Sequence, residues 1–238
     1  MRKNDFKIFA FVFLVHLCLP DGTSQARAQA EKAAYPAMAP RDEYLIADQN
    51  SEIALARSAA PPSISGGAEV MVLGRRGFTT AVRGTNGFLC LVERSWGAST
   101  DNREFWNPKV RSPICFNRAS ARTFAPIFLM KTKLVLEGKS KTEIEAATAS
   151  ALDKKELPAL EPGAMCYMMS KQQYLNDRGK SWHPHVMFFV SGDAAKSWGA
   201  DQPDSPIISA NDAEERVTIF MVWVGNWSDG SPAPPMDH

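Results

Sequence analysis

EVMVLGRRGFTTAVRGTNGFLCLVER, residues 69–94, holds three short β-type runs, at 69–73, 78–83 and 88–94. They are divided by Gly74-Arg75-Arg76-Gly77 and by Gly84-Thr85-Asn86-Gly87. Glycine and asparagine accept the positive φ that tight hairpin turns need, and Asn-Gly between apolar runs is the strongest short-range hairpin signal. The stretch therefore predicts a β-meander. In its third run Phe88, Cys90 and Val92 alternate with Leu89 and Leu91, so both faces of that strand are apolar and the strand is expected to be buried on both sides.

Working outward, residues 42–59 predict helix, with Ser51 placed to cap a second helical stretch from Glu52, and Pro61 and Pro62 end it. On the other side, residues 96–117 contain Trp96, Trp106 and two prolines without a period, which predicts a long loop. Long loops carry function disproportionately, so the loop from Trp96 to Asn107 is a candidate surface for a ligand or protein partner. The competing structural reading packs both tryptophans over the sheet. Residues 119–137 predict a helix that Pro126 kinks or starts late. Ser140-Lys141-Thr142-Glu143 matches a capping box opening a helix to about residue 155. Strands follow at 165–170, 185–191 and 217–224, with residues 200–213 read as loop. The expected fold class is α+β: a mostly antiparallel sheet, a β-meander plus C-terminal strands, with a layer of helices on one side and a disulfide staple.

The N-terminus reads as a cleavable secretory signal. Arg2, Lys3 and Lys7 precede the apolar run IFAFVFLVHLCL, which Pro20 and Gly22 end. The run is too short for a permanent span, which needs roughly 20 residues. Ala26 and Ala28 supply the small residues before a cut after Ala28, with Ala28 and Ala30 as the next choice. The expected organisation is a signal peptide at 1–28, a flexible tether at 29–41, one globular domain at 42–230 and a flexible tail at 231–238. Removing Arg2, Lys3, Lys7, Arg27, Asp5 and Asp21 lowers the 27 basic and 26 acidic residues to 23 and 24. Such a near-neutral chain without basic runs argues against nucleic acid as a partner. No stable membrane anchor is expected after cleavage, and the localisation is periplasmic or secreted.

Three cysteines then remain, Cys90, Cys115 and Cys166, in a compartment where disulfides persist. Cys90 with Cys115 is the favoured pair, because a short loop would tie a strand to the segment after it, although spacing does not prove connectivity. Cys166 is left as a thiol, read first as a small buried hydrophobe.

One constellation has chemical content. In Trp182-His183-Pro184-His185, Pro184 holds His183 extended, so two imidazoles two residues apart project from one strand face. His183 and His185 are candidate ligands for a divalent metal, or the edge of a small-ligand site. Catalytic zinc typically needs three protein ligands. The candidate third is Cys166 or Asp177, with Glu93 and Asp229 also weighed. Cys166 with His185 as its base is a weaker nucleophilic arrangement. The competing structural reading makes His185 a hydrogen-bonded core or rim residue and His183 a loop residue. No catalytic residue is assigned.

The ordered series Gly84-Thr85-Asn86-Gly87-Phe88-Leu89-Cys90, Pro113-Ile114-Cys115, Tyr167-Met168-Met169-Ser170 and His183-Pro184-His185-Val186-Met187 resembles a family of uncharacterised exported bacterial proteins over most of the mature chain. The resemblance implies export and a Cys90–Cys115 pairing. It implies no activity, so no functional residue is carried over.

Overall fold

The computed structural model describes residues 35–235; the signal segment and the tether up to residue 34 lie outside the described residues. Strand β3, Leu89–Glu93, is the pivot of the sheet. It pairs antiparallel with β4, Ser112–Phe116, in a register that sets Cys90 directly opposite Cys115. On its other side it pairs parallel with β1, Glu69–Gly74. Strand β2, Gly77–Val82, turns back antiparallel on β1. The remaining strands are β5 (Met165–Met168), β6 (His185–Ser191), β7 (Ile207–Asp212) and β8 (Val217–Trp223). Among the described residues the sheet has eight strands in the order β2-β1-β3-β4-β5-β6-β8-β7. Every pairing except β1 with β3 is antiparallel.

The expected meander is thereby corrected, since β3 lies beyond β1 and not beside β2. The reason is in the Gly-Thr-Asn-Gly segment, whose polar groups are held by the chain just before β1. The Asn86 side chain donates to the carbonyl of Ile64 at 2.7 Å and accepts from the Phe88 amide at 3.1 Å. The Thr85 amide donates to the Gly67 carbonyl at 2.8 Å. These bonds carry the chain across the start of β1. Gly84 is required there, because a Cβ on it would stand 2.2 Å from the Glu69 nitrogen.

Strands β4 and β7 were read as loop. Pro113 lies within β4 and lacks the donor a strand normally offers, yet all five β4 residues are buried. Strand β7 is an edge strand whose sequence, IISAND, mixes polar and apolar residues.

The single helical layer is also corrected to helices on both faces. On one, Val70, Cys90, Val92 and Cys115 pack against Ala56 of α1, Gln49–Arg57, and against Ala59 and Ala60. Helix α2, Pro62–Ser65, follows, with Pro61 before it. On the other face Leu89, Leu91, Ile114 and Phe116 meet helices α3 to α5: α3 (Arg118–Thr123), α4 (Ala125–Leu136) and α5 (Lys141–Asp153). A strand that is apolar on both faces needs cover on both.

Helix signals fare well. The capping box at Ser140 and Glu143 is present in both directions at the start of α5. Pro126 stands in the first turn of α4, so it starts that helix late instead of kinking a longer one. Asp48, not Ser51, caps α1. The expected tether does not run loose from residue 35: Met38 and Ala39 pack on the core, and the Tyr35 hydroxyl donates to Asp177 at 2.5 Å. At the other end the Ala233 amide donates to the Gly225 carbonyl at 2.8 Å, so the described part of the expected tail folds back. No helix among the described residues is long and apolar enough to cross a membrane.

Candidate functional site

Alternation along β3 sends Leu89 and Leu91 to the face of α4 and α5, and Glu93 follows them at the end of the strand. There it lines a cavity of about 600 Å³. Three segments enclose the cavity: the end of β3, the loop between β3 and β4, and the loop around residues 175–182. Its lining includes Glu93, Asn102, Arg103, Glu104, Arg178 and Trp182. Gly97 backs the carboxyl, since a Cβ there would lie 3.1 Å from Oε2 of Glu93.

Glu93 accepts no hydrogen bond from a described residue. Its carboxyl is pushed up to about 8, first by burial and then by the charge of Glu215, with the Lys131 ammonium opposing. Lys131 is fully buried; its Nζ donates to the Ala98 carbonyl at 2.9 Å and to Glu215 at 3.2 Å. Glu215 is itself pushed up to about 7, again by burial first, while Lys131 pulls it down. The neighbouring Glu214 accepts from the Thr100 amide at 2.7 Å. Lys131 and Glu214 thus tie the cavity's 97–100 wall to the turn between β7 and β8.

A carboxyl whose folded pKa exceeds its unfolded value makes the protein less stable as pH rises. Between the ordinary carboxylate range and pH 8 the unfolded chain releases a proton that folded Glu93 keeps. Glu93→Gln is expected to leave stability near pH 4 little changed and to recover about 3 kcal/mol at pH 7. Urea unfolding of wild type and variant at both pH values measures this. Identical pH slopes would remove the claim.

The histidines lie at the same end of the sheet. His185 pairs with Met168, and the β4–β5 register carried one residue on from Cys115↔Tyr167 sets Met168 beside Ile114 and hence Leu91. Glu93 is the next same-face residue beyond Leu91. Trp182 links the two regions, because it lines the cavity and its ring lies 6.0 Å from that of His185.

The metal set is not assembled. Among the described residues no group of three His, Cys, Asp or Glu side chains could hold an ion. His185 is 1% exposed, its Nδ1 is 2.7 Å from the His183 carbonyl, and its Nε2 is buried without a partner. Burial lowers its pKa, so a neutral ring is favoured. Both imidazoles flank Trp223, at 5.3 Å for His185 and 6.1 Å for His183. Asp177 is committed elsewhere, accepting from Tyr35, Tyr174 and Lys109. Asp229 pairs with Lys171 at 2.9 Å. Cys166 is fully buried, and its thiol is raised well above the ordinary value by burial and then by Glu93, which suits neither a ligand nor a nucleophile.

The tryptophan loop is corrected residue by residue. Trp96 is 0% exposed and donates from Nε1 to Thr132 at 2.9 Å. Trp106 is 6% exposed and meets Phe105 edge-on at 4.7 Å. Neither faces a partner; the same loop instead lends the cavity Ser95, Gly97, Ala98, Asn102, Arg103 and Glu104. Trp182, which was passed over except as the residue before His183, is an exposed aromatic at 44%. Lys131 and Glu215 were missed. The signals available were a lysine inside the apolar run PIFLMKTKLVL and an acid closing the apolar run LCLVE.

Comparison of the chain with family models, curated proteins and solved structures returns no match.

Proposed function

We propose that this chain is an exported binding protein that takes a small polar molecule into the cavity above Glu93. The observation that carries the reading is the Glu93 carboxyl in the wall of a cavity of about 600 Å³, backed by Gly97 and meeting no hydrogen-bond donor among the described residues. A half-buried carboxyl that no protein donor meets is open to completion by a ligand. The cavity lies within the size range of small-molecule sites, and its lining combines polar and charged side chains with apolar surface. Trp182 offers a flat apolar face at the rim. The disulfide supports export, since such bonds persist in oxidising compartments. In this reading the loop between β3 and β4 contributes through its polar side chains and backbone, and the His183–His185 edge supports Trp182.

The test is a ligand-observed NMR screen of a polar fragment library at pH 7 against wild type, Glu93→Gln and Trp182→Ala. Hits that bind wild type and weaken at least tenfold in either variant are expected. No hits, or hits indifferent to both substitutions, would overturn the reading.

A further inference from the structure

A second cavity, of about 490 Å³, opens where the start of α4, the end of α5, the segment after α5 and the start of β8 meet. It shares no lining residue with the cavity at Glu93. Its wall is largely apolar: Phe124, Ile127 and Val217 are buried, and Leu152, Leu157 and Leu160 are half-buried. Three charged residues line it, Lys155, Glu215 and Arg216. Glu215 is answered by the Lys131 ammonium at 3.2 Å and Arg216 by Asp153 at 2.8 Å. The Lys155 ammonium has no partner among the described residues. Asp153, the last residue of α5, stands two residues before Lys155, so its contact with Arg216 brings both cations to one end of the cavity.

The backbone beneath those two cations is costly. Lys155 (φ 57°) and Arg216 (φ 58°) both lie in the left-handed region, which favours glycine. Lys155 holds the glycine position of a Schellman end to α5, where the Glu156 amide donates to the Ala151 carbonyl at 2.9 Å and the Lys155 amide to Leu152 at 3.1 Å. Arg216 is the last residue of the turn between β7 and β8. Residues held in such a conformation gather at ligand sites, where the side chain is needed. We infer that this cavity binds an alkyl carboxylate of the fatty-acid type, its chain among the apolar side chains and its carboxylate on Lys155, with Arg216 adding positive charge. The charges select the head group. A carboxylate meets an ammonium that has no other partner, whereas an alkyl ammonium meets Lys155 and finds both neighbouring acids already paired. A hydrocarbon without a charge gains the same apolar contact and nothing from Lys155.

The probes are hexanoate, octanoate and decanoate, with the alcohol and the alkyl ammonium ion of each length, titrated calorimetrically against the whole protein at pH 7. Carboxylate affinity is expected to rise by up to about fourfold for each added CH2 until the cavity is filled. The ammonium ions are expected to bind about tenfold more weakly than the carboxylates, or not at all. Lys155→Gly is the decisive variant, because glycine suits the backbone there while the ammonium is lost. It should weaken the carboxylates about fivefold or more, leave the alcohols unchanged and hold or raise Tm. Four results would each overturn the inference: no carboxylate binding, carboxylates and ammonium ions binding alike, carboxylate binding untouched by Lys155→Gly, or a lower Tm in that variant, which would make Lys155 a structural residue.

Discussion

Arg94→Met is expected to destabilise the protein by about 3–5 kcal/mol. Arg94 and Glu52 are each 1% exposed, and their side chains meet at 2.8 Å. The guanidinium also donates from Nε to the Tyr44 carbonyl at 2.6 Å and reaches the Val92 carbonyl, while the Glu52 carboxylate accepts from the Leu73 amide at 3.1 Å. The pair thus fastens three separate pieces: α1, the end of β1 and the turn at Tyr44. Desolvating two charges is expensive, and their attraction together with the extra hydrogen bonds offsets it. Removing the arginine leaves a carboxylate sealed from water, which is where the loss arises. Glu52→Gln removes the charge but keeps an acceptor for the Leu73 amide, so its cost should be smaller. Combining Glu52→Gln with Arg94→Met should cost less than the sum of the two, with a coupling of about 2 kcal/mol by urea unfolding. A loss under about 1 kcal/mol for Arg94→Met would mean that water reaches Glu52, contrary to its burial.

The second large effect belongs to the staple. Cys90 and Cys115 are both unexposed, face one another across β3 and β4, and close a loop of 25 residues. In the chain-entropy model a loop of that length contributes about 3.5 kcal/mol by restricting the unfolded chain. Replacing both cysteines by alanine should therefore lower Tm by roughly 10 °C, read by calorimetry. Cys166 offers no rescue. It lies on β5, next to β4, but points into the core beneath α4 and α5, whereas Cys115 points towards α1. A single Cys90→Ala variant should accordingly show no new internal disulfide on mass analysis after alkylation. An unchanged Tm in the double variant would show that the bond does not restrict the unfolded chain as supposed.

Much of this architecture could be read from residues near one another in the chain. The hairpin of β1 and β2 follows from glycines flanking Arg75-Arg76, and the start of α5 follows from Ser140 and Glu143, because those signals act over two to four residues. Burial of β3 on both faces follows from its unbroken apolar run. The Cys90–Cys115 bond was favoured from the compartment and the short separation, and the register of β3 on β4 is what places the two residues opposite.

Long-range contacts governed the rest. The Asn86-Gly87 pair carries a hairpin signal, but Ile64 and Gly67 compete for its polar groups, and no window on residues 84–87 contains those partners. Two apolar faces on β3 required two covers, yet their identity depended on α1 returning across one face and α4 across the other. The histidine pair stood out because both residues lie within one strand's reach, while a third metal ligand would have to come from elsewhere, and none does among the described residues. Glu93 was visible as an acid at the end of an apolar strand and weighed as a third metal ligand, a role for which no group is assembled among the described residues. Its significance comes from Lys131, Glu215 and the 175–182 loop, which are remote in sequence and adjacent only once the sheet has formed. Local chemistry is written in neighbouring residues; a carboxyl's pKa and the walls of a cavity depend on whichever distant groups the packed chain brings beside it.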